Sequence, residues 1–101
     1  SSYLLLINRA NEVLGWVRIS QGGTSGTVLD PKIVFQLALS ANASGIILAH
    51  NHPSGNLIPS NEDRAITEKI KLGGKLLEIK LLDHLILTED SFYSFADEGG
   101  I

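Results

Sequence analysis

Two helix starts punctuate this sequence and limit its fold more than any other feature. Asp30 offers a side-chain N-cap directly before Pro31, a proline suited to the first helical position. Ser60 offers a second cap, with Asp63 three residues on in a capping-box-like arrangement. After the first start, Ile33, Val34, Leu37, Ala38 and Ala41 fall on one helical face. The second helix is predicted to run to about Leu77, with Gly73 and Gly74 weakening its last turns.

The apolar runs around these helices have the length of strands. Residues 3–7 and 13–19 flank a polar turn at 8–11 and read as a hairpin. Residues 46–49, following Gly45, form a short buried strand. Residues 79–88 supply one or two more strands, and 93–95 a last short one. Residues 20–27 are a Gly/Ser/Thr loop, and 51–59 a loop stiffened by Pro53 and Pro59. The order β-β-α-β-α-β-β predicts an α/β (α+β) fold, a mixed β-sheet flanked by two main helices.

The 101 residues suit one domain spanning 1–101. The chain begins at Ser1 and contains no methionine, so it is expected to be part of a longer protein. No cysteine is present, which excludes disulfides and thiolate ligands and fits a cytoplasmic setting. Any transition metal must therefore be held by nitrogen and oxygen. No apolar run approaches the roughly 20 residues that cross a bilayer. The formal charge is −3, and the lysines between 69 and 80 are diluted by Glu68 and Glu78. Without a basic stripe, direct nucleic-acid binding is not expected. No phosphate-cradling G-x-x-x-x-G-K-[ST] or dinucleotide-binding G-x-G-x-x-G occurs either.

The chemistry concentrates between His50 and Asp63. His50 ends a buried strand and His52 lies two residues on, so in extended backbone both imidazoles point to one side. Asp63 falls in the first turn of the next helix, whose positive end favours the ionised carboxylate that a metal requires. Pro53, Gly55 and Pro59 make a tight return that can bring this helix start back to the histidines. The H-x-H spacing alone is a weak signal, and the capped Asp at a fixed distance makes it specific. Three N/O ligands around tetrahedral zinc (Zn2+) leave one position for water, as in catalytic rather than structural sites.

This pattern, His50-x-His52, seven residues, Ser60, two residues, Asp63, resembles the JAMM motif of the JAB/MPN metalloprotease family. The wording HNHPSG and PSNED is similar to the RadC-like branch, as are Gly22, Gly23, Gly26, Thr27, Asp30, Pro31, Asp83, His84, Ser94 and Phe95. The resemblance covers about residues 3–99. It implies the JAB/MPN fold, a zinc-dependent hydrolase site and a peptide or protein substrate, cut at a peptide or isopeptide bond. It gives Ser60 a second role, support of the developing oxyanion, beside its role as N-cap. The family pattern also carries a general-base Glu on the first strand, at residue 1 or immediately before it by alignment on Asn8. This chain has Ser1 and Ser2 there. Glu12 lies past the far end of the first strand, and Glu62 diverges from Asp63 by about 100° around the helix. Neither replaces that base.

His84 reads either as a hydrogen-bonded strand histidine, the commoner case, or as a partner of a ligating histidine. Gly22, Gly23 and Gly26 suit a substrate cradle or simply a flexible loop, and Trp16 a core or half-exposed sheet position. Two rivals to the hydrolase stand beside it. One is a non-catalytic interaction module on the same fold, and the other a DNA-repair accessory, which the family's RadC name suggests and the acidic balance opposes. The sequence is compatible with a homodimer and with no membrane partner.

Overall fold

The computed structural model describes residues 1–20 and 29–101. In chain order the elements are β1 (Ser2–Ile7), β2 (Val13–Ser20), α1 (Pro31–Ser40), β3 (Gly45–Asn51), α2 (Asn61–Leu77), β4 (Lys80–Leu87) and β5 (Phe92–Ser94). This is the expected order. The glycine-rich loop, with Gly22, Gly23, Gly26 and Thr27, lies outside the described residues.

The strands form one sheet in the order β2-β1-β3-β4-β5. β1 is antiparallel to both β2 and β3, β3 and β4 run parallel, and β5 returns antiparallel to β4. Asparagine chemistry closes the first hairpin: Asn8 Oδ1 accepts the amides of Ala10 and Glu12 at 3.0 and 2.9 Å, and Asn11 takes a left-handed φ of 63°. The parallel pair needs a crossover, and α2 supplies it.

Register decides what faces the helices. Leu4 pairs with Leu48 and Leu6 with Ile46, so these four share one face. Val34 and Ala38 of α1 and Ile70 of α2 join them in one buried cluster, so both helices cover that face. Ser2 pairs with His50, which carries the same face to the end of the sheet. Along β4 the register slips by one residue between Ile46 and Ile47: Ile46 pairs with Leu81, but Leu48 pairs with His84. A strand alternates with period two, so this bulge at Leu82 puts both Leu81 and His84 on the helix-covered face. Without it, His84 would point to the opposite side.

Both helices begin where the sequence indicates. Asp30 caps α1 by accepting the Lys32 amide at 2.9 Å, and a full capping box opens α2. Of the expected α1 stripe, Val34 and Ala38 are fully buried and Leu37 and Ala41 partly, whereas Ile33 is exposed. The glycines of α2 do not fray its end. A Cβ on Gly73 would stand 2.9 Å from Phe35 Cε2, and one on Gly74 would stand 2.1 Å from the Ile79 carbonyl oxygen. They let α2 approach α1 and let the chain turn tightly into β4, with Ile79 N–H donating to Gly74 O at 2.8 Å. Trp16 is 66% exposed on the edge strand β2, tilted against Tyr3, which corrects its reading as a core or half-exposed residue. No described helix is long and apolar enough to cross a membrane.

Candidate metal centre

β3 runs two residues beyond the expected strand, so His50 sits within it, and His52 follows just past its end. The His52 amide still donates to Leu87 O at 2.9 Å, which prolongs the extended backbone. Both imidazoles therefore reach the same side, and their Nε2 atoms lie 3.0 Å apart. The loop then folds back. Gly55 takes a φ of 77°, and its amide donates to His52 O at 3.0 Å. The returning Asn56 carbonyl accepts from His52 Nδ1 at 2.7 Å. A carbonyl can only accept, so His52 carries a proton on Nδ1, which in the neutral tautomer leaves the lone pair on Nε2.

The capping box delivers the carboxylate. Ser60 Oγ accepts the Asp63 amide at 3.0 Å, and Asp63 Oδ2 accepts the Ser60 amide at 2.8 Å. Asp63 Oδ1 lies 3.1 Å from His50 Nε2, and Oδ2 lies 3.2 Å from His52 Nε2. One ligand atom from each of the three residues thus falls within 4.8 Å of the others. With bonds of about 2.0 to 2.1 Å, neighbouring ligand atoms of tetrahedral zinc stand about 3.3 Å apart. The nitrogen pair at 3.0 Å is close to that edge length, and the Asp63 carboxylate meets each ring through a different oxygen, at 3.1 and 3.2 Å, so the three residues could hold an ion of this size. Ser60→Ala is expected to cost about 1 kcal/mol of stability through the lost cap. Urea denaturation of the variant measures it, and an unchanged midpoint would show that the Asp63 amide is satisfied without the hydroxyl.

The electrostatics suit ligation. Burial drives the His50 pKa below the usual 6.5, against the opposing pull of the Asp63 charge, so the ring is neutral at pH 7. Burial alone would raise Asp63, but the Ser60 amide and the neighbouring His50 and His52 outweigh it and hold the carboxyl below its ordinary 3.8. A neutral imidazole and an ionised carboxylate are the forms that bind metal.

Behind His50 lies His84, fully buried. His50 Nδ1 is 2.9 Å from His84 Nε2, and His84 Nδ1 is 2.6 Å from Thr67 Oγ1. Burial, and then the neighbouring His50, push the His84 pKa down to about 4. Thr67 escaped the sequence reading, although it lies four residues after Asp63, on the same helix face. The Asn56 carbonyl escaped it too, because backbone groups leave no mark in residue identity. Glu12 is spent in the hairpin, accepting from Asn8 Nδ2 at 3.0 Å, and Glu62 is exposed on α2. Beside His52 an open cleft of about 670 Å3 runs between the 51–57 loop and the β4–β5 turn, lined in part by Pro53, Leu57, Leu87, Glu89 and Asp90.

Comparison with known proteins agrees with this arrangement. A family model described as RadC-like JAB domain matches residues 1–100. A UPF0758 protein of Flavobacterium johnsoniae is 50% identical over 97 residues, 96% of this chain and 42% of the relative. UPF0758 proteins of Thermotoga maritima and Porphyromonas gingivalis are 44% and 42% identical, over 86% and 96% of this chain and 39% and 43% of the relatives. The chain thus spans about two fifths of the length of these curated relatives. With a match across nearly all of its residues, and a His50, His52 and Asp63 group that could hold a metal, the chain belongs to the RadC-like JAB domain family.

Proposed function

We propose that this domain is a zinc-dependent hydrolase of the metallopeptidase or isopeptidase type, with His50, His52 and Asp63 as the zinc ligands. The observation that carries this reading is the convergence of two imidazole nitrogens, 3.0 Å apart, with a carboxylate whose two oxygens lie 3.1 and 3.2 Å from them. Three protein ligands leave a fourth position, and His52, one of the three, also lines the open cleft. Bound there, zinc would supply a Lewis acid and a nucleophile from water at neutral pH.

The chain's own residues have separable tasks. His50 and His52 present their Nε2 atoms, and Asp63 brings the negative charge. Ser60 Oγ accepts the Asp63 amide, which leaves its own proton free to donate to the carbonyl oxygen of a substrate as charge develops there. The cleft beside His52 would seat a peptide or protein chain, and Glu89 and Asp90 on its rim favour a basic stretch. The formal charge of −3 supports a peptide partner over a nucleic acid.

Strand register separates the two positions at which the family's general-base Glu would fall. Ser1 lies opposite Asn51, and its Oγ accepts from Arg18 at 2.8 Å on the face away from His50. A residue directly before Ser1, continuing β1, would lie opposite His52 on the metal face. A Glu there in a longer chain would adjoin the open ligand position.

A second reading, a metal-holding interaction module without catalysis, draws support from Asp63 being the sole acid in the metal group among the described residues. Elemental analysis of protein purified without chelator, followed by assay of peptide and isopeptide substrates, tests both. About one zinc per chain with metal-dependent cleavage is the expected result for a protein carrying the upstream Glu. Zinc without cleavage in that protein favours the module. A folded protein that takes up no zinc even on reconstitution overturns the metal reading.

A further inference from the structure

The buried row behind His50 assigns directions to its hydrogen bonds. Thr67 Oγ1 stands 2.6 Å from the Asp63 carbonyl oxygen, which has no proton to give, so the Thr67 hydroxyl donates to it. That proton is then committed, and the 2.6 Å contact between Thr67 Oγ1 and His84 Nδ1 needs its proton from the ring. His84 is therefore protonated on Nδ1 and carries a lone pair on Nε2. That lone pair accepts from His50 Nδ1 at 2.9 Å, which leaves the His50 lone pair on Nε2, facing Asp63 and His52.

We propose that His84 and Thr67 are positioning residues that lock His50 into its Nδ1–H tautomer and aim its Nε2 at the metal position. The inference rests on the metal-site reading above and adds a mechanism of preorganisation to it. Three features hold His84 to the task. The bulge at Leu82 turns it toward the helices. Phe95 stacks on its ring, centroids 4.9 Å apart and planes at 12°. Asp83 fixes the backbone, accepting from the His84 amide at 2.7 Å, the Ala96 amide at 3.0 Å and the Ser94 hydroxyl at 2.6 Å. The chain of bonds ends on the Asp63 backbone, so the groups that orient one ligand are tied to the helix turn that carries another. His52 is oriented separately, by the Asn56 carbonyl.

Long-range proton–nitrogen correlation of the imidazoles, in metal-free protein at about pH 8 where neutral rings prevail, reads the tautomers directly. The wild type is expected to show His50 and His84 as Nδ1–H. His84→Leu removes the acceptor, and His50 should drift to a mixture or to Nε2–H. His84→Gln puts an amide oxygen near the former Nε2 and should restore Nδ1–H. Zinc affinity, by competition with a chromophoric chelator, should fall on the order of 10- to 100-fold in His84→Leu and recover most of the way in His84→Gln. Should His84→Leu not fold, Thr67→Val against Thr67→Ser asks the same question one bond further out. A wild-type tautomer for His50 in folded His84→Leu or Thr67→Val overturns the proposal. If no protein in the series binds zinc, the metal reading fails, while the tautomers of the metal-free proteins still decide the positioning claim.

Discussion

Asp63→Asn is expected to lose zinc affinity by roughly 10²- to 10³-fold while the domain stays folded. Four-ligand zinc sites in small domains bind with about 10 to 16 kcal/mol, so one ligand's share is about 3 to 4 kcal/mol. Asparagine keeps an oxygen to accept the Ser60 amide, now held by Asp63 Oδ2 at 2.8 Å, and so largely spares the capping box. What disappears is the negative charge facing His50 and His52 at 3.1 and 3.2 Å. Asp63→Ala should lose at least as much affinity and also about 1 kcal/mol of stability, because it removes half of the box. Chelator competition and urea denaturation, run on both variants, separate ligation from capping. Wild-type affinity in Asp63→Asn would show that the carboxylate is a helix cap alone.

That Asp63 both closes the capping box and lies against His50 and His52 explains why this grouping could be read from the sequence. The spacing from His52 to Ser60 and Asp63 encodes a local event: a strand end, a tight return and a capped helix start. Local rules governing N-caps, period-two alternation and turn glycines carry such events well. The same rules gave the element order, the hairpin at Asn8 and the start of each helix.

What escaped the sequence was set by contacts distant in the chain. Gly73 and Gly74 looked like helix weakeners because propensity is a local quantity; their neighbours Phe35 and Ile79 decide their role. Trp16 looked like a core or half-exposed sheet residue, but β2 is an edge strand, and the helices cover the opposite face. His84 was open between two roles because its partners, His50 and Thr67, lie far from it in the chain, and alternation counted from Leu81 would send it away from the helices. The bulge reverses that side, and nothing in residues 80–87 announces it. The position of His84 behind His50 follows from a register slip that only the paired strands reveal.

The same burial gives the metal-free protein an acid weakness that can be measured. Its stability is expected to fall by about 3 kcal/mol between pH 6.5 and pH 4, from His84 alone. An exposed histidine in the unfolded chain titrates at 6.5, whereas in the folded protein His84 titrates at about 4. Across that window the unfolded state binds a proton that the folded state refuses, so acid favours unfolding. A gap of about 2.5 pKa units, at 1.36 kcal/mol each, sets the magnitude. His50, also lowered by burial, adds to the loss in the same direction. Asp63 acts lower down: its carboxyl is depressed below 3.8, so its contribution is present above that value and declines only beneath it. Urea midpoints of chelator-treated protein at pH 7 and pH 4, compared with His84→Gln, isolate the effect. The variant lacks the titrating ring and should show a much shallower decline, which His50 sustains. An equal decline in both proteins would mean that the buried ring at position 84 is not what acid attacks, and that the pH dependence arises elsewhere in the fold.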